Sequence, residues 1–204
     1  MDAHAWDERY AATELVWSRE PNQFVAAELA ELPPGRAVDL AAGEGRNAIW
    51  LASLGWSATA VDFSQVALDK GERLARSAGL DVTWVRADAT TWRPPEPVDL
   101  VVIAYLQVPA GDRRRAVRGA VERLAIGGTL LLVAHDSTNL TEGTGGPQDP
   151  TVLMTADEVV DDLAGLDVEV LRAERVAREV TSADEHGGEE RRTAWDCLVR
   201  VARR

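Results

Sequence analysis

The chain contains very little cysteine, and this absence narrows its possible functions before any motif is considered. Cys197 is the only cysteine among 204 residues. A single cysteine excludes an internal disulfide framework and a cysteine-rich zinc site. No apolar run is long enough to cross a bilayer, and the first residues, MDAHAWDERY, lack the basic start and apolar core of a signal peptide. We therefore expect a cytoplasmic protein that holds no metal and has no membrane partner.

Positive charge is also scarce. The sequence has 22 Lys+Arg against 34 Asp+Glu, which gives a net charge of -12. Such a charge repels a polyphosphate unless basic side chains are gathered on one face. The densest basic run, Arg113-Arg114-Arg115, opens a helical pattern and points in different directions around the helix axis, so we interpret it as a solvated first turn. We expect no nucleic-acid partner.

Apolar β-rich runs alternate with helical patterns through most of the chain. This alternation predicts an α/β protein with a parallel sheet that is covered on both faces. We predict strands at 36–41, 57–61, 81–86, 97–103 and 128–134, and helices at 23–31, 46–54, 64–78, 111–125 and 155–164.

The two ends of the chain differ from this alternating part. Residues 6–17 form an aromatic-rich helical pattern, whereas residues 168–181 and 193–202 are extended runs typical of an antiparallel hairpin. Period-two alternation places Cys197 on the core-facing side, where it is a structural thiol. We predict one domain, 1–204, made of a helical cap (1–32), a cofactor-binding half (36–135), and a substrate loop with the hairpin (136–204).

The stretch DLAAGEGRN, residues 39–47, occupies the first strand-to-helix turn. In an open parallel sheet, ligands bind beyond the carboxyl ends of the strands, and Gly43 and Gly45 lack a Cβ that would keep a ligand away. We expect both glycines to serve cofactor approach more than stability. Asp62 ends the second strand at a distance suited to ribose hydroxyls, and Asp88 follows the third strand, where it could meet an adenine amino group.

With these three strand ends, the sequence resembles class I S-adenosylmethionine-dependent methyltransferases, in particular the small tellurite-resistance-like and thiopurine-methyltransferase-like enzymes. The resemblance covers nearly the whole chain: the aromatic N-terminal segment, then DLAAGEGRN, AVDFS, RADAT and VVIAYL, and the closing hairpin. It implies a Rossmann-like methyltransferase fold with a central, mostly parallel seven-stranded sheet, helices on both faces and a C-terminal antiparallel hairpin. The implied cofactor is S-adenosyl-L-methionine.

The resemblance also implies a set of cofactor-binding residues. Gly43 and Gly45 would flank the methionine moiety, Asp62 would bind the ribose, and Arg19 would pair with the methionine carboxylate. Ala41 stands where the family pattern normally has its first glycine, and an alanine is tolerable there if its φ is negative. The full set is Trp17, Arg19, Asp39, Ala41, Gly43, Gly45, Arg46, Asn47, Asp62, Phe63, Ser64, Asp88, Ala89, Ala104, Tyr105 and Leu106.

Methyl transfer from a sulfonium is an in-line displacement, so the protein contributes mainly by positioning the nucleophile. A soft sulfur, selenium or tellurium nucleophile needs little help with deprotonation, which fits a sequence without a clear Ser-His-Asp or Cys-His pairing. His135, at the end of a predicted strand, is the candidate general base or substrate contact. The alternative is a histidine that hydrogen-bonds within the loop that follows.

Four further side chains are candidate substrate contacts: Trp6, Tyr10, Arg178 and Arg192. The aromatic segment 6–17 would form a lid over the methyl group, and the polar loop 136–150 would form the opposite wall. The alternatives are permanent packing of the N-terminal helices on the sheet and, for the two arginines, a solvated strand edge.

Two other functions compete with a methyltransferase (EC 2.1.1.-) that acts on a small molecule. One is a non-catalytic module that binds the same cofactor. The other is an NAD-type Rossmann oxidoreductase, whose pattern Gly-x-Gly-x-x-Gly would need a glycine where Ala48 stands, although some variants allow alanine. The end hairpin and Asp88 favour the methyl donor. We expect a monomer or homodimer.

Overall fold

Seven strands and the helices between them make up most of this computed structural model, which describes residues 3–16, 18–183 and 189–204. The strands are β1 (Arg36–Leu40), β2 (Ser57–Asp62), β3 (Val82–Arg86), β4 (Val98–Ala104), β5 (Leu124–His135), β6 (Val168–Ala183) and β7 (Glu189–Arg203). The helices are α1 (Ala3–Ala11), α2 (Gln23–Leu29), α3 (Arg46–Ser53), α4 (Gln65–Ser77), α5 (Ala110–Val121), α6 (Asn139–Glu142) and α7 (Ala156–Asp162), with a 3-10 turn at Pro150–Val152.

The strands form one sheet in the order β3-β2-β1-β4-β5-β7-β6. β1 to β5 are parallel, and β7 lies antiparallel between β5 and β6. This confirms the mostly parallel seven-stranded sheet with a C-terminal antiparallel hairpin. The strand order reverses between β1 and β4, and a crevice opens at the carboxyl ends of the strands at such a point.

Apolar side chains cover both faces of the sheet. One layer joins the sheet to α5 and α7, and the other joins it to α2 and α3. Because β7 is an inner strand, its alternate residues are buried on opposite faces, with Cys197 in the first layer and Leu198 in the second. Burial raises the pKa of Cys197 to about 12, so its thiol stays protonated. The structural role predicted for this cysteine is thereby confirmed.

Two predicted element bounds need correction. The helix predicted to reach residue 125 ends at Val121, and β5 begins at Leu124 because the Val98 N–H bonds to the Arg123 carbonyl (2.9 Å) and draws this stretch into the sheet. The N-terminal helix ends at Ala11. The Lys70 ammonium binds the backbone carbonyl of Tyr10 in the last turn of this helix and that of Thr13 just beyond it.

The basic run at the start of α5 is not simply solvated. The Arg113 side chain is buried, and its Nε lies 2.6 Å from Asp162 Oδ2 at the end of α7. Arg114 Nε lies 2.9 Å from the other oxygen of the same carboxylate. The prediction of a solvated first turn was therefore wrong for Arg113, because α7 packs beside this turn. Within the described ranges, no helix is both long and apolar enough to span a membrane.

Candidate active site

The turn after β1 is held by short backbone hydrogen bonds and unusual backbone angles. Ala42 N donates to Val61 O (3.0 Å), and Gly45 N donates to Ala42 O (2.9 Å). The φ angles of Ala41, Gly43 and Gly45 are +59°, +55° and +73°. The negative φ required for an alanine at position 41 is therefore not found. The chain needs a left-handed residue to leave β1, and an L-residue in this conformation costs roughly 1–2 kcal/mol.

Gly45 has a packing role that the sequence did not predict. A Cβ on Gly45 would lie 2.4 Å from the Trp84 ring, and a Cβ on Gly71 of α4 would lie 2.5 Å from the same ring. The indole of β3 therefore fits between the glycine turn and α4 only because both positions lack a side chain. The missing Cβ of Gly45 therefore also serves packing against Trp84, and the expectation that it serves cofactor approach more than stability stays a prediction.

Asp62 joins the end of β2 to the glycine turn. Its Oδ2 accepts a hydrogen bond from Gly43 N (2.8 Å), and its Oδ1 accepts one from Ser64 N (2.9 Å). Burial raises the pKa of Asp62, while these two N–H groups favour the charged form. The carboxylate thus stands beside the turn, where hydroxyls of a bound ribose could use its remaining lone pairs.

Replacing Asp62 with alanine is expected to weaken S-adenosylmethionine binding by roughly tenfold or more, because hydrogen bonds to a charged acceptor contribute about 1.5–3 kcal/mol. Titration calorimetry would measure the affinity, with the exposed Asp81→Ala as the matched control. An unchanged affinity in the Asp62 variant, or a preference of the wild-type protein for NAD, would remove Asp62 from the cofactor site.

Asp39 lies deeper in the same turn. Its Oδ2 accepts a hydrogen bond from Ala48 N (3.2 Å) in the first turn of α3, while its Oδ1 is buried without a hydrogen-bond partner among the described residues. Burial raises the pKa of Asp39 to about 7, although Ala48 N and the Arg46 charge act in the opposite direction. Near neutral pH this carboxyl group is therefore partly protonated.

The raised pKa of Asp39 predicts a pH-dependent stability. Because the folded state binds the proton more tightly than the unfolded state does, the stability from this group is full below its ordinary pKa of 3.8 and is lost as the pH rises through about 7. Between about pH 5 and pH 8, Asp39→Asn, which cannot ionise, should therefore gain about 2–3 kcal/mol of stability relative to the wild type. Urea unfolding at both pH values would measure it. A constant difference would contradict the assignment.

The other predicted cofactor residues lie at neighbouring strand ends. Asn47 is buried in α3, and its Oδ1 accepts a hydrogen bond from Asn22 N (2.9 Å). The Ser64 hydroxyl accepts a hydrogen bond from Ala67 N (3.2 Å) at the start of α4. Asp88 Oδ1 accepts two hydrogen bonds from Thr90, each 2.8 Å long, in a local turn after β3. Also at these ends lie Phe63, Ala89, Ala104 and Leu106.

Tyr105, directly after β4, has a strained backbone and a buried hydroxyl. Its φ is +61°, which is rare for an aromatic residue, and such strain concentrates at functional sites. The hydroxyl donates to Asp196 Oδ2 (2.8 Å) and accepts from Asn22 Nδ2 (3.3 Å). Burial, assisted by the Asp196 charge, raises the pKa of Tyr105, so the phenol stays protonated.

Asp196 of β7 connects the side chains of this cluster. Its side chain is fully buried, and Arg178 Nε of β6 donates to its Oδ2 (2.7 Å). His135 Nδ1 lies 3.2 Å from its Oδ1. Burial alone would raise the pKa of Asp196, but the contacts with His135, Arg178 and Tyr105 outweigh burial and hold the pKa below its usual range. We call Tyr105, His135, Arg178 and Asp196 the Asp196 cluster.

The predicted base, His135, is enclosed on two sides. Its ring packs against the Tyr105 ring with centroids 4.8 Å apart, and a Cβ on Gly146 would lie 2.9 Å from the imidazole. The loop 136–150 therefore reaches the site through Gly146. The side chain is 14% exposed, while Nδ1 itself is buried. The contacts with Tyr105 and Gly146 therefore restrict the orientation of the imidazole ring.

The predicted substrate arginines occupy different places. Arg178 belongs to the Asp196 cluster, where burial would lower its pKa but the contacts with Asp196 and Tyr105 together outweigh burial and raise it. Arg192 is exposed and lies on β7 with the same alternation as Asp196, four residues closer to the hairpin turn. Burial lowers the pKa of Arg46 at the start of α3, and the Arg178 charge acts in the same direction, so Arg46 lies within electrostatic range of the cluster.

The N-terminal segment is fastened beside the glycine turn. Tyr10 is buried and stacks on Trp6 with ring centroids 5.5 Å apart. Asp7 accepts a hydrogen bond from the Ser64 hydroxyl at the start of α4. Val16 N donates to the Glu44 carboxylate (3.0 Å) within the glycine motif itself.

Two further predicted cofactor residues belong to this region. Trp17 lies outside the described residues. Arg19 is exposed and lines a surface cavity with Lys70 and Arg73 of α4. Its predicted pairing with the methionine carboxylate stays a prediction.

Sequence reasoning missed several residues that build the site. Asp196 had a local signal, because it is a charged residue inside the apolar strand run AWDCLV. Glu44 and Asn22 had weaker signals, since one lies within the glycine motif and the other precedes a helix as its N-cap. Gly146 could not be distinguished from the other glycines of its loop. Their partners come from distant parts of the chain.

Comparison with known proteins finds methyltransferases. Residues 37–128 match the model of the methyltransferase domain family. The chain is 34% identical over 137 residues to trans-aconitate 2-methyltransferase of Streptomyces coelicolor, covering 64% of this chain and 45% of that protein. It is 27% identical over 133 residues to thiocyanate methyltransferase 1 of Brassica oleracea, covering 63% and 58%. The chain thus spans about half the length of these relatives.

The fold agrees with solved methyltransferase structures. TehB from Haemophilus influenzae has a TM-score of 0.74 at 18% identity, covering 90% of this chain and 63% of that one. Other solved structures with this fold contain S-adenosylhomocysteine or S-adenosylmethionine. The tellurite-resistance-like or thiopurine-methyltransferase-like subgroup stays a prediction. Residues 37–128 thus match the methyltransferase domain family over the glycine turn and the strand ends that follow it, and the fold is that of S-adenosylmethionine-dependent methyltransferases.

Proposed function

We propose that the protein transfers the methyl group of S-adenosyl-L-methionine to a small molecule, with the Asp196 cluster as the acceptor site. The observation that carries the proposal is the position of this cluster. Tyr105 and His135 stand at the carboxyl ends of β4 and β5, beside the point where the strand order reverses. The glycine turn and Asp62 lie at the same edge, so donor and acceptor would meet there.

The proposed acceptor is a soft nucleophile, a thiol or its selenium or tellurium counterpart. A thiol has an ordinary pKa near 8.5 and is mostly protonated at neutral pH, so a nearby base increases the reactive thiolate. His135 beside the charged Asp196 supplies such a base. Positioning by the cluster would supply the rest of the rate enhancement.

The acceptor is also proposed to carry a negative charge. The Arg178 guanidinium uses Nε for Asp196, and the Arg46 guanidinium lies within electrostatic range of the same cluster. A guanidinium presents further donors that suit a carboxylate. By their names, the two relatives act on trans-aconitate and thiocyanate, which are both small anions. This supports a small anionic acceptor.

A screen with methyl-labelled S-adenosylmethionine tests the function. Mercaptoacetate, its neutral counterpart 2-mercaptoacetamide, trans-aconitate and thiocyanate would be offered, and products would be identified by mass. We expect methylated mercaptoacetate to form faster than the methylated amide. Cofactor binding without transfer to any acceptor would favour the non-catalytic module instead. Binding of NAD rather than S-adenosylmethionine would favour the oxidoreductase, which the methyltransferase-domain match already disfavours.

The N-terminal segment is proposed to act as a lid. Its attachments through Lys70 and Glu44 fasten it beside the glycine turn, so cofactor contacts there would stabilise it further. We expect the amides of residues 3–16 to gain roughly tenfold protection from hydrogen exchange when S-adenosylmethionine binds, with the amides of α7 as the unchanged control. Deleting residues 1–19 should remove transfer and leave the sheet folded. Equal, high protection in both states would identify the segment as permanent packing.

A further inference from the structure

Asp196 contacts three side chains that come from three different parts of the sheet. Its Oδ2 accepts two hydrogen bonds, one from the Tyr105 hydroxyl (2.8 Å) and one from Arg178 Nε (2.7 Å). Its Oδ1 faces His135 Nδ1 at 3.2 Å. The two oxygens of one buried carboxylate are therefore divided between different partners.

The contact between Asp196 and His135 constrains where the imidazole hydrogen lies. Asp196 Oδ1 and His135 Nδ1 are both buried, and neither has a well-aligned hydrogen-bond partner among the described residues. A buried polar atom without a partner destabilises the folded state. A hydrogen on Nδ1 places a positive partial charge against the Asp196 carboxylate at 3.2 Å, whereas a hydrogen on Nε2 would set the Nδ1 lone pair against the carboxylate.

The surroundings hold the His135 ring in this orientation. The Tyr105 ring packs on it, and Gly146 lies against it. The backbone N–H of His135 donates to the Gln107 side chain (3.2 Å), which anchors the residue at the end of β5. Among the described residues, Arg178 from β6 bonds to Asp196, and Arg46 from α3 acts on the cluster electrostatically. Both are cations, so neither replaces Asp196 as an acceptor for the Nδ1 hydrogen.

We propose that Asp196 is a positioning residue that holds His135 in the tautomer with its hydrogen on Nδ1, which leaves the lone pair of Nε2 free. The role of Nε2 as a base rests on the proposed function. The acceptor sulfur bonds to the methyl carbon as the bond from that carbon to the sulfonium breaks, and the thiol proton passes to Nε2. S-adenosylhomocysteine leaves as a neutral thioether, and the proton later passes from His135 to solvent.

Nitrogen-15 NMR tests the tautomer without any acceptor. The chain has three histidines, so comparison with His135→Gln identifies the His135 signals in a long-range proton–nitrogen spectrum at about pH 8. In the wild type, Nδ1 should resonate as the protonated nitrogen and Nε2 as the unprotonated one. In Asp196→Asn, the single amide oxygen is drawn to the donors Arg178 and Tyr105, and the amide NH2 then faces Nδ1. The tautomer should reverse.

Tyr105→Phe is the matched control, because it removes one hydrogen bond to Asp196 and keeps the carboxylate, so the Nδ1–H tautomer should persist. A wild-type spectrum with the hydrogen on Nε2 overturns the proposal, even if Asp196→Asn fails to fold. Retention of Nδ1–H in a folded Asp196→Asn protein also overturns it. Failure of the acceptor screen would instead count against the proposed function, so the two failures are distinguishable.

Discussion

Replacing His135 with glutamine is expected to lower kcat for a thiol acceptor by roughly 10²–10⁴-fold at about pH 7, because a general base contributes an effect of that size. Glutamine keeps the polar character of the side chain but cannot take the thiol proton. S-adenosylmethionine affinity should stay unchanged, since the cofactor would lie on the glycine turn and Asp62. Steady-state kinetics and calorimetry on the same protein would measure both quantities.

The pH dependence separates a base from a structural residue. Above about pH 9 a thiol with a pKa near 8.5 ionises without help, so the defect of His135→Gln should shrink there. The exposed His4→Gln is the matched control and should behave as the wild type. A loss of kcat that is equally large at both pH values would assign His135 to structure, and an unchanged kcat near neutral pH would remove it from catalysis.

Gly45→Val is expected to destabilise the fold strongly. A β-branched residue at φ +73° is strained, and its Cβ would lie 2.4 Å from the Trp84 ring, which Gly71 confines on its other side. The left-handed conformation costs roughly 1–2 kcal/mol, and overpacking adds about 1–3 kcal/mol. At about 2–4 °C per kcal/mol for a domain of this size, the melting temperature should fall by roughly 5–20 °C.

Gly79→Val provides the matched control for this prediction. Gly79 also has a left-handed φ, +70°, but a Cβ there meets no atom within 4 Å. Its substitution therefore costs only the backbone strain, and the difference between the two melting temperatures reports the contact with Trp84. Equal melting temperatures for the two variants would show that Gly45 is not needed for packing and would leave cofactor approach as its main role.

Local patterns in the sequence determined the order of the elements and the edge at which the site lies. The alternation of strands and helices predicted the parallel sheet, because the hydrophobic period of each segment shows which of its residues are buried and hence whether it is a strand or a helix. Asp39, Asp62 and Asp88 were placed at strand ends because parallel strands present their carboxyl ends at one edge. These conclusions depend on neighbouring residues only, and the structure agrees with each position.

Only the tertiary structure decided which side chains meet. Asp196 faces His135 because β7 inserts antiparallel beside β5 in a register that pairs these two residues, and no local pattern specifies that register. The role of Gly45 depends on Trp84, which a different strand supplies. The left-handed φ of Ala41 follows from the path between β1 and α3, not from the alanine itself. Elements follow from local periodicity, whereas the site follows from pairing and packing between distant segments.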